Sequence, residues 1–294
     1  LRRLVRELVT PADSREPLKI YADNKESYFQ AQYIPIQTTD PGEQNVHFGG
    51  NVIWLKNITE FKELDTAKTT FISTISHELK TPLSSIKVLS DSILIQDPEN
   101  VPKEMYVEFL MDINSEVDRM TDIINDLLTL VRMNREEVHL NPMEINLTDM
   151  ISDIVRRLEP IAKSKNINLN YNKLKAVKAE IEETKFSLAV SNLIENAIKY
   201  NNDGGNVEVT VDADNQNAFV TIADDGVGIA EEELGKIFDR FYRVDKNRDR
   251  ESGGTGLGLS IARSAVLMHN GTIKVSSKEN EGTTFVIIIP LKQE

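Results

Sequence analysis

The chain has 294 residues, 40% of them hydrophobic and 28% charged, and carries a formal net charge of −13. That length suits two or three globular domains, and the acidic balance argues against a nucleic-acid partner or an anionic membrane surface. The absence of cysteine excludes disulfides, thiolate metal sites and cysteine catalysis.

Residues 1–62 are expected to hold a leading helix at Leu1–Leu8 and two strands, Tyr28–Ile36 and Gly50–Ile58, separated by the turn residues Thr39-Asp40-Pro41-Gly42. So few elements enclose only a small core, so the segment reads as a marginal or incomplete domain. From Thr59 to Gln96 the pattern becomes helical, with Ile75, Leu79, Ile86, Leu89 and Ile93 at coiled-coil spacing. Asp97-Pro98-Glu99-Asn100-Val101-Pro102 breaks it, and a second seam runs through Phe109, Ile113, Val117, Met120, Ile124, Leu127 and Val131. Two long helices joined by a short connection predict an antiparallel hairpin over 63–138. One hairpin with a single apolar stripe cannot enclose a core, so a homodimeric four-helix bundle is expected.

After Asn141-Pro142 helices and strands alternate over 142–294. Helices are predicted at Leu147–Ser164, Glu183–Asn201 and Leu259–His269. Strands are predicted at Ile167–Tyr171, Asn206–Asp212, Ala218–Asp224, Thr272–Ser276 and Thr284–Pro290. This is the pattern of a two-layer α/β sandwich, and the whole chain is assigned to a multidomain α+β class. No apolar run approaches the roughly 18 residues of a membrane span, and no signal peptide is present. The first residue is Leu1, not Met. The expectation is a cytoplasmic portion of a longer protein that itself makes no membrane contact, one whose preceding segment could anchor the parent in the inner membrane.

The hairpin carries one suggestive cluster, Ser76-His77-Glu78-Leu79-Lys80-Thr81-Pro82. At about 100° per residue, His77 lies about 200° from both Ile75 and Leu79, so it faces water rather than the seam. A solvent-facing imidazole is largely uncharged at neutral pH and therefore nucleophilic. Glu78 can accept the Nδ1 proton and leave Nε2 free to attack. Thr81, one turn on, shares the face and can orient a water. Pro82 removes a backbone bond and gives the helix a bend point. A surface His-Glu pair on a helix is common, so the nucleotide chemistry downstream has to decide its meaning.

Four clusters supply that chemistry. On the predicted helix Asn192-Leu193-Ile194-Glu195-Asn196-Ala197-Ile198-Lys199-Tyr200, the residues Asn192, Asn196 and Lys199 share one face. An amide oxygen from Asn196 suits Mg²⁺, and Lys199 can meet a phosphate as a point charge. Asp224-Asp225-Gly226-Val227-Gly228 follows an apolar strand, where a carboxylate can accept from an adenine amino group and glycines allow close approach. Gly253-Gly254-Thr255-Gly256-Leu257-Gly258 runs into a helix, a setting in which backbone N–H groups bind phosphates, though no Walker Lys-Ser/Thr follows. Phe238-Asp239-Arg240-Phe241-Tyr242-Arg243 precedes the charged run Asp245 to Glu251 and reads as an anchored lid, with Arg243 in reach of a γ-phosphate.

These motifs, in this order, closely resemble those of the sensor histidine kinases of bacterial two-component systems over residues 63–294. The resemblance implies a dimerisation and histidine-phosphotransfer hairpin followed by a Bergerat-type ATP-binding domain. It implies His77 as phosphoacceptor, Glu78 as its base and Thr81 as the helper in phosphatase activity, with a response-regulator receiver domain as phosphoryl acceptor. It implies ATP and Mg²⁺ as ligands, with Asn196 on the metal. The nucleotide set would be Asn192, Lys199, Tyr200, Asp224, Gly226, Gly228, Phe238, Arg243, Gly254, Thr255, Gly256, Leu257 and Gly258. Gly282-Thr283-Thr284 resembles the family's last turn. Asn57-Ile58-Thr59-Glu60 resembles the end of a PAS sensor domain, where Asp usually stands first; the segment is too short for a complete ligand pocket.

Other readings share the nucleotide fold. A gyrase-like hydrolase or clamp has a Glu one turn before the metal-binding Asn to activate water; here that position is Asn192, which disfavours hydrolysis. An anti-sigma-type serine kinase lacks a His-bearing hairpin. A catalytically silent, nucleotide-binding dimeric scaffold remains an alternative, separated from a kinase by turnover.

Overall fold

The computed structural model describes residues 17–22, 25–39, 46–95, 102–133, 140–244 and 254–293. The expected helix at Leu1–Leu8, the turn residues Asp40-Pro41-Gly42, the break at Asp97 to Val101 and the charged run Asp245 to Glu251 with Gly253 lie outside the described residues. Contacts divide the chain into two compact units, Leu1–Ser76 and His77–Glu294.

In the first unit, β1 (Leu18–Ala22), β2 (Lys25–Thr39) and β3 (Val46–Asn57) form an antiparallel sheet in that order. Strand β1 is additional to the two strands expected from the sequence. Ile34 and Trp54 remain 47% and 55% exposed, so this sheet encloses no core of its own on that side. The sheet hands over to helix α1 (Thr59–Ile95) at a side-chain cap. Asn57 Oδ1 accepts from Thr59 N at 3.0 Å and from Thr59 Oγ1 at 2.6 Å, and Tyr28 N donates to Thr59 Oγ1 at 2.9 Å. Asn57 thus serves the helix start as an Asp would.

In the second unit the later part of α1 pairs with α2 (Lys103–Met133). Described from Thr59 to Ile95 and from Lys103 to Met133, the two helices bury little. Pro82 is the buried residue of α1. Leu79, Ile86, Leu89 and Ile93 are half-buried, while Leu83, Val88, Leu110 and Val117 are 57%, 63%, 59% and 46% exposed. At the far end of α2, Leu130 and Met133 leave the hairpin and join the core of the α/β layer.

That layer is built from β4 (Met143–Asn146), α3 (Leu147–Ser164), β5 (Asn168–Lys173), β6 (Lys178–Ile181), α4 (Glu183–Lys199), β7 (Asn206–Ala213), β8 (Asn217–Asp224), α5 (Gly258–Met268), β9 (Thr272–Lys278) and β10 (Gly282–Pro290). The main sheet has the order β5-β7-β8-β10-β9; β5 and β7 are parallel and the remaining pairs antiparallel. Alternation fixes its inner face: Val207, Val209, Val211, Val220, Ile222, Ile287 and Ile289 are fully buried. They meet Ile151, Phe186, Leu193, Ile194 and Ile261 from the three helices, all likewise fully buried. The short ribbon β4–β6 had no counterpart in the sequence reading. Asn146 caps α3 by accepting from Thr148 N at 3.2 Å, and Thr148 Oγ1 donates to Lys175 O and accepts from Val177 N, each at 3.0 Å.

His269, at the end of α5, is fully buried. Its Nε2 accepts from Glu182 N at 3.0 Å, at the N-cap of α4, and Nδ1 lies 2.7 Å from Ala265 O. Accepting at Nε2 places the proton on Nδ1, which donates to Ala265 O. Phe186 packs against the ring edge-on at 5.6 Å. Burial holds the imidazole below its ordinary pKa, so it is a neutral clasp between α4 and α5.

Candidate functional site

Asp224 ends β8, opposite Thr283 at the start of β10. Its Oδ1 accepts from Gly226 N at 3.0 Å and Thr283 N at 3.2 Å. Burial pushes the carboxyl up to about 6, against the pull of those two N–H groups and with a smaller push from Asp225. The turn is close-packed for a visible reason. A β-carbon at Gly226 would overlap the Tyr200 carbonyl, and Gly228, at φ +66, lies against the Lys278 carbonyl. Behind it Ser277 Oγ accepts from Ile229 N and meets Thr283 Oγ1 at 2.9 Å. Asp225 is committed elsewhere, accepting from Asn206 N and Nδ2 at 2.6 and 2.7 Å. Asp224 therefore presents one oxygen from a rigid, half-buried frame.

The helix face predicted on α4 meets the glycine loop. A β-carbon at Gly254 would overlap Lys199 Nζ, which also sits 4.9 Å from the centre of the Tyr200 ring. A β-carbon at Gly258 would lie 3.7 Å from the Asn192 amide, whose Nδ2 is buried without a hydrogen-bond partner. A donor held unpaired beside a glycine cradle suits an anionic oxygen such as a phosphate oxygen. Asn196 is half-buried one turn along the same helix. Among the described residues no group of three or more His, Cys, Asp or Glu could hold a metal ion. A divalent cation here would rest on Asn196 and ligand oxygens, the arrangement Mg²⁺ accepts.

The motif from Phe238 to Arg243 braces this loop. Phe241 N donates to Gly256 O at 2.9 Å, with Phe241 at φ 62 and Gly256 at φ +70. Arg243 Nη1 donates to Gly254 O at 2.7 Å, which ties the arginine to the loop backbone. Two predicted contact residues face the core. Phe238 packs edge-on against Phe285 at 6.4 Å, and the Leu257 side chain is fully buried, its N–H donating to Thr255 Oγ1 at 3.1 Å.

Thr255 reaches a residue that the sequence reading missed. Its hydroxyl donates to Asp126 Oδ2 on α2 at 2.6 Å. Burial raises the Asp126 pKa, the Thr255 bond opposes this, and Asp122 adds to it. Asp126 sits on what reads as a solvated helix face, and nothing in its local sequence marks it.

On α1, His77 is 80% exposed, with Nδ1 3.9 Å from Glu78 Oε1. Thr81 Oγ1 donates to His77 O at 3.2 Å, a bond to the carbonyl one turn back. Glu78 Oε2 lies 3.8 Å from Arg119 Nη2 on α2. Imidazole, carboxylate and hydroxyl thus share one helical turn, with the Glu78 carboxylate beyond hydrogen-bond distance of the ring and the Thr81 hydroxyl engaged with the backbone. Among the described residues no helix is long and apolar enough to cross a membrane.

Residues 67–136 match the family described as His Kinase A (phospho-acceptor) domain, and residues 181–293 match Histidine kinase-, DNA gyrase B-, and HSP90-like ATPase. The chain is 32% identical over 291 residues to the sensor histidine kinase WalK of Bacillus subtilis (strain 168), covering 98% of this chain and 46% of that protein. It is 35% identical over 246 residues to the sensor protein kinase WalK of Staphylococcus aureus, covering 82% and 58%. The chain thus spans about half the length of these curated relatives. Among solved structures, histidine kinase ThkA in complex with response regulator protein TrrA superposes with a TM-score of 0.58 at 22% identity, over 95% of this chain and 80% of that one, a likeness of fold.

Proposed function

The chain belongs to the sensor histidine kinases of bacterial two-component systems, and we propose that it moves the γ-phosphoryl group of ATP onto His77 and from there to an aspartate of a response regulator. The observation that carries this reading is the exposed imidazole of His77, backed at Nδ1 by Glu78, in the same compact unit as the glycine loop.

In the proposed step the Nε2 lone pair attacks the γ-phosphorus in line. The Nε2–P bond forms as the bond to the bridging oxygen of ADP breaks, and Glu78 receives or shares the Nδ1 proton as charge builds on the ring. Asp224 accepts from the adenine amino group with the oxygen its backbone partners leave open. The unpaired Asn192 amide and Lys199 meet phosphate oxygens, and the backbone around Gly254, Gly256 and Gly258 lines the cradle. Asn196 would hold Mg²⁺, which when bound neutralises charge on the phosphates. Phe238 and Leu257 serve as packing supports for the loop, and Arg243 as its brace.

The division proposed is a sensor segment at 1–62, the phosphotransfer hairpin at 63–138 and the ATP-binding layer at 142–294. The apolar residues that α1 and α2 leave exposed support a homodimer that completes the bundle. A neighbour of the same fold bound to a response regulator supports that partner class. Thr81, released from its bond to the His77 carbonyl, would orient water for dephosphorylation of the regulator.

Incubation of the chain with γ-labelled ATP and Mg²⁺ tests the reading. Acid-labile label on the wild type that is lost in His77→Ala, with nucleotide binding retained, is the expected result. Label retained in His77→Ala sinks the assignment, and nucleotide binding without any label favours the silent scaffold.

A further inference from the structure

We propose that Arg119, on α2, is a positioning residue for the phosphorylation of His77, acting through Glu78. The inference rests on the assignment of His77 and Glu78 made above.

The hairpin surrounds Arg119 in an unusual way. Its side chain is only 18% exposed, although α1 and α2 leave most of their apolar residues in water. A guanidinium withdrawn from solvent requires opposite charge close by. Two carboxylates supply it among the described residues: Glu78 Oε2 lies 3.8 Å from Nη2, and Glu116 Oε2 lies 4.0 Å from Nη1. Glu116 is on Arg119's own helix, one turn back, whereas Glu78 comes from the facing helix. Both distances are those of ion pairs and not of hydrogen bonds, and Arg119 Nε is buried without a hydrogen-bond partner. The fork is therefore charge-paired yet has donor capacity left over.

What the pairing does to Glu78 decides its use. Neighbouring residues on a helix point about 100° apart, so Glu78 has no intrinsic reason to face His77. A free glutamate on a helix samples several rotamers, most of which carry its carboxylate away from the imidazole. Here the two oxygens are divided: Oε2 is turned to Arg119, and Oε1 is left 3.9 Å from His77 Nδ1. Arg119 thus selects the rotamer in which the carboxylate bridges the two helices and still faces the ring. At 3.9 Å Oε1 is not yet hydrogen-bonded to the ring, but held on this side it needs only a short approach to accept from Nδ1–H, which keeps the proton there and leaves the Nε2 lone pair directed outward, as the attack requires. The planar fork suits this task better than a lysine ammonium on a flexible stem.

A plain structural ion pair between α1 and α2 would show the same contacts, so the test must separate position from stability. Initial rates of label incorporation from γ-labelled ATP are measured in the full chain for wild type, Arg119→Ala, Arg119→Lys, Glu78→Gln and the Glu78→Gln/Arg119→Ala double variant. Dimer mass and helicity are checked throughout. Arg119→Ala is expected to lower kcat by about 10- to 100-fold with KM for ATP unchanged, the loss typical of a group that orients a reacting one. Arg119→Lys should recover part of that loss. In the Glu78→Gln background the Arg119→Ala change should cost nothing further, because the arginine acts only through the carboxylate. Nitrogen NMR of His77 gives a readout free of turnover: a single Nδ1–H tautomer in wild type, and a mixture in Arg119→Ala. An unchanged rate, an effect on KM alone, a loss that persists undiminished without Glu78, or an unchanged tautomer in Arg119→Ala overturns the proposal. Should Arg119→Ala fail to fold, Arg119→Lys with wild-type kcat and tautomer also overturns it. Label surviving in His77→Ala would instead bring down the underlying assignment, so the two failures are distinguishable.

Discussion

The α/β layer encloses its apolar residues within one chain, whereas the hairpin leaves Leu83, Val88, Leu110 and Val117 facing outward. The difference falls where the chemistry divides. The proposed nucleotide contacts sit on groups fixed by a buried core: Asp224 pinned by two backbone N–H groups, and a glycine loop braced by Phe241 and Arg243. The histidine proposed to react stands on helices that bury little of their own, chiefly Pro82 and Ile123. Regulation of such a protein has an obvious point of entry. The layer proposed to bind ATP has its own buried core, and the hairpin proposed to receive the phosphoryl group keeps apolar residues exposed for a second copy to cover.

The comparison makes predictions of decreasing size. His77→Gln should abolish label incorporation completely while leaving nucleotide affinity at the wild-type value by calorimetry. A loss of affinity would mean that the two regions are not separable. Phe186→Ala, at the centre of the α/β core, should cost about 3–5 kcal/mol of unfolding free energy in denaturant titration. Leu83→Lys combined with Val117→Lys should convert a dimer to a monomer by sedimentation, with the melting of the α/β layer unmoved; a dimer that survives both changes would break the contrast. Asp224 gives a pH signature. Its carboxyl, raised by burial to about 6, must be ionised to accept well, so nucleotide affinity should fall as pH drops through about 6, and Asp224→Asn should flatten that dependence. The sign for stability is opposite. A raised folded-state pKa contributes stability that is full below the unfolded value and is lost as pH rises through about 6. Asp224→Asn should therefore gain on the wild type between pH 4 and pH 7 in denaturant titrations. Smallest of all, Thr255→Val removes the donor to buried Asp126 and should lower stability by about 1 kcal/mol, with faster amide exchange at the end of α2.

Legibility followed the range of the interaction. Helix α3 was readable to its ends because its cap, Asn146, and its apolar period are local. The strands β7, β8 and β10 alternate cleanly because one face is buried. The ribbon β4–β6 was invisible: each strand has four residues, and its pairing, not its pattern, makes it a strand. Strand β1 escaped for the same reason, with its register set by β2. At the site, the glycines and the α4 asparagines were legible as motifs, since close backbone approach leaves a compositional trace. Asp126 and Arg119 left none. A charged residue on a helix looks solvated until another element covers it, and the covering partners, Thr255 and Glu78, lie far away in sequence.

The chain has four histidines, and one of them is its own control. Both nitrogens of His269 are spoken for, Nε2 by the Glu182 amide and Nδ1 by the Ala265 carbonyl. The ring has no lone pair to offer a phosphorus atom, an acylating reagent or a metal while the fold is intact. Its resonances should stay fixed in one tautomer across a titration in which an exposed imidazole moves. In any labelling, footprinting or spectroscopic study of the proposed phosphoacceptor His77, His269 is a blank wired into the same molecule. The moment it begins to react marks the opening of the α4–α5 clasp.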